Sequence, residues 1–155
     1  MIDRLKKFED LNRFVFHGSS VFPINELEPR QSYSFGEPDG QPAISASNSI
    51  WPAIFMSILS RESGCAMGIN ISDKNPFGLL VPESVYEKAH IEKWIGYVYV
   101  LEATEFVLRK HGSFELRSTV PAKPVDVLPV QVNDLPKGIN VVSDNERDSY
   151  VNKYR

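Results

Sequence analysis

The chain is poor in the side chains that hold disulfides and metals. Its one cysteine, Cys65, has no partner for an internal disulfide, so a reducing compartment is the expected setting. The three histidines, His17, His90 and His111, stand far apart, none with a second ligand at metal-site spacing. No metal site is expected. The motifs GxxxxGK[ST], GxGxxG, HExxH and GxSxG are all missing. Their absence removes the standard signatures of triphosphate binding, dinucleotide binding, zinc proteolysis and serine hydrolysis. Long apolar runs are missing as well. The longest apolar-rich stretch, residues 50–59, is interrupted by Pro52 and Ser57 and is too short to cross a bilayer. The first ten residues show no apolar core and no cleavage-site pattern, so export is not expected. A cytoplasmic protein with no membrane contact is the expectation. The net charge of −3 gives no overall attraction to nucleic acid or to an anionic membrane.

What is present suits one globular domain. A hydrophobic content of 42% over 155 residues is enough to bury a core without staples. Ile2, Leu5, Phe8 and Leu11 fall at helical spacing, so the start of the chain is expected to be a short amphipathic helix. Phe14–Phe16 follows as a buried strand. Residues 23–42 are rich in Pro, Gly, Ser and acidic side chains and suit a long irregular connection of the kind that often carries function. Ala43–Ser47 suits a short buried strand. Asn48 or Ser49 is placed to cap a helix through Ile50, Ala53, Ile54, Ser57 and Ile58, one face of which meets the core. Residues 62–82 are loop-rich. A second helix is expected over Glu83–Trp94, with Val85, Ala89 and Trp94 inward. The clearest strand signal is Tyr97–Leu101. Phe106–Leu108 either continues it or pairs with it. Gly112–Ser113 suits a hairpin turn into Phe114–Val120, and Val125–Val132 alternates as another strand. The pattern predicts an α+β domain over residues 1–142 and a polar tail over residues 143–155 that frays.

One segment carries most of the functional signal. The apolar run Phe14-Val15-Phe16 ends at His17-Gly18-Ser19-Ser20, which brings an imidazole, a residue without Cβ and two hydroxyls to a strand end. Gly18 would let a ligand approach the main chain closely. A plain strand-to-turn transition is the other reading, since Gly and Ser are ordinary turn residues. Cys65, between Gly64 and Ala66, suits a small buried apolar residue, the alternative being a nucleophile paired with a distant histidine. His90 suits a solvated helix face and His111 an exposed turn.

Three segments, in order, resemble the sequence blocks of the ADP-ribosyltransferases of the diphtheria-toxin-like and poly(ADP-ribose)-polymerase-like type. Phe16-His17-Gly18-Ser19 resembles the first block, a strand ending in His-Gly-Ser. Pro42–Ser47, followed by Asn48–Met56 with Ala53 and Phe55, is similar to the second, a short strand and then a helix. Ser113–Ser118, with Glu115 at the head of a late strand, is similar to the third. The resemblance implies a single α+β domain of split, antiparallel-rich β-sheets with a central cleft and flanking helices. It implies that NAD is bound as a substrate, with His17 and the Gly18 backbone holding its nicotinamide ribose and carboxamide and Ser19 nearby. Ser47 would line the same site, and Arg30 would contact the pyrophosphate or else serve as a surface charge. The family places a tyrosine on the second strand, stacked on nicotinamide, where this chain has Ile44; Ile44 is expected to pack on the ring in its place, with Tyr33, upstream in the loop, as the substitute. Glu115 and His17 would be the catalytic pair, with the Glu115 carboxylate stabilising the positive charge that develops on the ribose. The implied activity is cleavage of the nicotinamide–ribose bond and transfer of ADP-ribose to a protein or nucleic-acid acceptor. Two other readings remain open from the residues. One is a non-catalytic interaction or ligand-binding domain on this or another small α+β fold. The other is a related phosphotransferase acting on RNA 2′-phosphates, which Phe16 before His17 disfavours.

Overall fold

The main sheet is built from β1 (Phe14–Ser19), β4 (Ile44–Ser47), β6 (Ile95–Glu102), β7 (Val107–Leu108), β8 (Glu115–Ser118) and β9 (Asp126–Gln131). They hydrogen-bond in the order β7-β8-β4-β1-β6-β9, every neighbouring pair antiparallel. A computed structural model describes residues 1–34, 36–109 and 114–154. Two small ribbons stand apart from the main sheet. β2 (Tyr33–Ser34) pairs antiparallel with β3 (Glu37–Pro38), and β5 (Leu80–Pro82) pairs parallel with β10 (Asn140–Val142). Among the described residues there are four α-helices, α1 (Ile2–Asp10), α2 (Ile50–Leu59), α3 (Glu83–Ile91) and α4 (Arg147–Tyr154). The fold is therefore a small mixed domain with a mostly antiparallel sheet, which is the coarser part of the expectation.

Alternation along the strands divides the core in two. Phe16, Val98, Val100, Leu128 and Val130 face α2, while Val15, Ile44, Tyr99 and Leu101 pack on the other side of the sheet with Leu27 and Phe106. The α2 helix is apolar nearly all round, with Ile50, Ala53, Ile54, Phe55, Ile58 and Leu59 all buried. It is thus a central helix rather than a surface helix with one inward face. Its first turn is held from two sides. Ser49 Oγ accepts from the Trp51 N–H at 3.4 Å, and Glu9 Oε2 accepts from the Ile50 N–H at 2.8 Å. The helix crosses β1 and β6 at Gly18 and Gly96. A Cβ on Gly18 would lie 2.0 Å from the Ala53 carbonyl oxygen, and one on Gly96 would lie 2.5 Å from the Ser57 carbonyl carbon. Both glycines are therefore demanded by helix–sheet contact.

Several elements differ from expectation, each for a local reason. The helix expected over Glu83–Trp94 ends at Ile91, because Lys93 adopts a left-handed φ of 53° of the kind that terminates helices. Trp94 is nevertheless buried, from the loop rather than the helix. Phe106–Leu108 neither continues β6 nor pairs with it; β7 is the antiparallel neighbour of β8. The loop-rich stretch 62–82 ends in β5, which has no alternation to reveal it because all three of its residues are buried. The polar end of the chain, expected to fray, forms α4, whose Val151 packs with Ile69, Leu80 and Val142. The turn expected at Gly112–Ser113 lies outside the described residues.

Candidate functional site

The seam between β1 and β4 is where the sheet opens. Among the described residues the register joining these strands is the single pair Phe16 with Ser47. Past it, the Ser45 carbonyl accepts from the His17 side chain, Nδ1 to O 2.7 Å, so an imidazole takes the place of a main-chain partner. A carbonyl oxygen can only accept, so Nδ1 carries the hydrogen and the neutral ring presents Nε2 as an acceptor. The gap forms a cleft of about 100 Å³ lined by Phe16, His17, Gly18, Ser47, Phe114 and Glu115, with α2 closing it through Ala53 and Met56. An apolar cavity of about 150 Å³ is known to accept benzene. This cleft is smaller than that, so it encloses only part of a planar ring, and the rest of a ligand would extend over the surface.

Burial holds His17 below its ordinary pKa of 6.5; the bond to Ser45 opposes this and the nearby positive charge of Arg30 adds to it. The protonated ring is disfavoured in the folded chain, so the unfolded chain takes up the proton first as pH falls. This contribution to stability is full above pH 6.5 and is lost as pH drops through the depressed folded value. An NMR titration of His17 is expected to give a midpoint below 6.5. A midpoint above that value would contradict the buried neutral ring.

Glu115 reaches the cleft from β8, directly across from Ser47. Phe16, Ser47 and Glu115 thus form one register line over three neighbouring strands, although about seventy residues separate the last two in sequence. The carboxylate is embraced by two guanidiniums. Arg109 Nη1 donates to Oε2 at 3.0 Å and Arg117 Nε to Oε1 at 3.3 Å. Both arginines also pair with Asp39, from the turn after β3, and Arg117 Nη2 lies 3.1 Å from its carboxylate. Asp39, Arg109, Glu115 and Arg117 therefore close a ring of alternating charge. Such a ring fixes the Glu115 rotamer and offsets part of its charge. Its Glu115-x-Arg117 spacing is visible in a strand, but Arg109 and Asp39 come from elements whose placement no local pattern reveals.

The other candidate residues fall in different places. Gly18 and Ser47 line the cleft. Ser19 ends β1 with its Oγ accepting from the Val21 N–H at 3.0 Å, a local turn bond, and does not line the cleft. Arg30 is exposed, has no side-chain hydrogen bond or ion pair among the described residues, and is close enough to act on His17. Ile44 is 3% exposed in the second core cluster and does not line the cleft. Alternation on β4 is the reason: Ile44 points away from α2, while Ser45 and Ser47 point to the cleft side. Tyr33 is 66% exposed and supplies no ring there. The aromatic wall comes instead from Phe114, which meets Phe77 edge-on with centroids 5.3 Å apart. Phe114 carries no sequence signal beyond its apolar character at the start of the Phe114–Val120 run. Met56 and Met67 line the cleft too, with no sequence signal beyond their apolar character.

Cys65 is outside the cleft. Burial pushes its thiol up to about 12 against the opposing charge of Arg147, and the S–H donates to the Leu59 carbonyl, 2.9 Å. A thiol held protonated is a poor nucleophile. With an aromatic disulfide reagent at pH 8, the folded protein is expected to react more than about tenfold slower than the chain in denaturant. Equal rates would revive a reactive cysteine. His90 is exposed on α3 with Nδ1 2.8 Å from the Tyr86 carbonyl, and His111 lies outside the described residues. Among the described residues, no helix is long and apolar enough to cross a membrane, and no cluster of three metal-binding side chains occurs. No family model, no curated protein and no solved structure matches this chain.

Proposed function

We propose that the β1–β4 cleft binds NAD by its nicotinamide–ribose end, and that the chain transfers ADP-ribose to a protein or nucleic-acid acceptor. The observation that carries this reading is the convergence of His17, Ser47 and Glu115 on one cleft from three separate sequence blocks. The fit is chemical as well as positional. The cleft admits part of one planar ring, Phe114 offers an aromatic wall, and Gly18 brings main chain to the cleft lining while α2 packs against the side a Cβ would occupy. His17 Nε2 is an acceptor for a ribose hydroxyl. Arg30, exposed and with no side-chain partner among the described residues, suits the negative charge of a pyrophosphate outside the enclosed pocket.

Breaking the bond between C1′ and the nicotinamide nitrogen releases neutral nicotinamide and leaves positive charge on the ribose. Glu115 is the carboxylate nearest to oppose that charge, and its arginine partners hold it in one orientation. The same partners support a second reading, a ligand-binding domain without turnover, because two guanidiniums weaken the field that one carboxylate exerts. Calorimetry with NAD, together with measurement of released nicotinamide, separates the two. Binding with release supports the transferase, and binding alone supports the second reading. Absence of NAD binding would remove the cofactor altogether.

A further inference from the structure

A second cavity, of about 490 Å³, lies next to the cleft, with Trp51, Phe77, Leu79 and Leu135 in its apolar lining. Its Phe77 is the ring that meets Phe114 edge-on, so one aromatic pair joins the walls of the two spaces. Volumes of about 300–1,000 Å³ are typical of sites for small organic ligands, and this cavity falls within that span where the cleft does not. Its polar side chains are Asn75, Asn133, Asp134 and Lys137. Asn75 and Asp134 are committed to the protein. The Asn75 amide donates to the Leu79 carbonyl and accepts from its N–H, at 2.7 and 2.9 Å, and Asp134 accepts from the Gln131 N–H at 2.9 Å. Lys137 is exposed and has no ion pair or hydrogen bond from its side chain among the described residues. A second ammonium, that of Lys6, stands 5.8 Å over the Trp51 ring.

We propose that this cavity is a binding site for a planar aromatic ring bearing one anionic group, with the ring against Trp51 and Phe77 and the anion at Lys137. Aromatic walls favour a flat π-system. An ammonium at the rim with no side-chain partner among the described residues, and a second one over Trp51, favour a negative substituent. Nucleoside monophosphates and aromatic carboxylates both have this chemistry. The proposal goes beyond the NAD reading and does not rest on it.

Trp51 is its own reporter. The other tryptophan, Trp94, is only 5% exposed, with its N–H bound to Glu92 at 2.6 Å and Arg61 over its ring. Adenosine monophosphate and 2-naphthoate are titrated separately against the intact chain, with adenosine and inorganic phosphate as the separated parts. Saturable quenching by one of the two anions is expected, with weaker binding of either part; the better probe tells a nucleotide source from an aromatic acid. Lys137→Gln should weaken that probe roughly two- to fivefold, as for an exposed charge contact. Trp51→Leu, followed by calorimetry, should weaken it by at least about fivefold, the lower range for stacking on an aromatic. Arg30→Gln should leave the affinity unchanged, which separates this cavity from the cleft, where an adenosine phosphate could also be held as a fragment of NAD. Absence of saturable binding of either anion overturns the proposal. So does binding that Lys137→Gln leaves intact, or that Arg30→Gln abolishes. Lys137 is a surface residue, so its variant keeps the test valid if Trp51→Leu fails to fold.

Discussion

Glu115→Gln is expected to lower nicotinamide release by about 10²–10³ while NAD affinity changes by only a few-fold. Glutamine keeps the length, the planar head and one acceptor oxygen but removes the negative charge. If the carboxylate acts on charge that develops only as the bond breaks, the loss falls on turnover and not on binding. The variant also breaks the contacts to Arg109 and Arg117, and this must not be mistaken for the catalytic effect. Those pairs are partly exposed, at 34% and 14% for the arginine side chains, and pairs of this kind contribute about 1 kcal/mol or less each. Circular dichroism should therefore show a fold close to wild type. A turnover that survives intact would take Glu115 out of the chemistry, and a proportional loss of binding would make it a positioning residue for the ground state.

Gly18→Ala should produce the largest loss of stability. One methyl group would be driven to 2.0 Å from the Ala53 carbonyl oxygen and 2.8 Å from the Ser57 nitrogen. Those are main-chain atoms of a helix packed on the sheet, so no side-chain rotation can relieve the clash. Overpacking of a core costs about 1–3 kcal/mol and occasionally more, and with rigid backbone as the obstacle the upper end applies, at least about 3 kcal/mol. In a domain of this size that lowers Tm by roughly 6–12 °C. A thermal melt within about 2 °C of wild type would mean that α2 does not rest on β1 at this point. Since Gly18 also lines the cleft, any loss of NAD binding has to be read at a temperature where the variant is folded.

The His17-Gly18-Ser19 signal was legible because it interrupts a buried apolar strand, and interruptions show in sequence. Its physical meaning was only partly legible. Gly18 was expected to bring a ligand close to the main chain, whereas the strongest demand on its missing Cβ comes from α2. Ile44 was expected in the site from its place in the second block, but strand alternation turns it into the core and leaves the cleft to Ser45 and Ser47. Phe114 supplies the ring on that wall, which local pattern could not reveal because the ring it meets, Phe77, is distant in the chain. Helix α4 was missed because it has one buried apolar residue, Val151, and a single position makes no periodicity. β7 was seen as a strand but given the wrong partner, since pairing is a long-range property.

By itself, the sequence determined the α+β composition, the strand and helix that flank the cleft and, with one cysteine, the lack of an internal disulfide, and it offered His17, Ser47 and Glu115 as candidates. Those follow from periodicity, turn residues and side-chain type, all of which act over a few positions. The tertiary structure decided that these three meet at one opening of the sheet, that His17 is neutral with Nδ1 bound to Ser45, and that Glu115 lies between Arg109 and Arg117. Each depends on strand register and burial, which place residues distant in the chain within hydrogen-bond reach and take water away from them. No local pattern encodes those distances, so the charge state and orientation of the site became readable only in the fold.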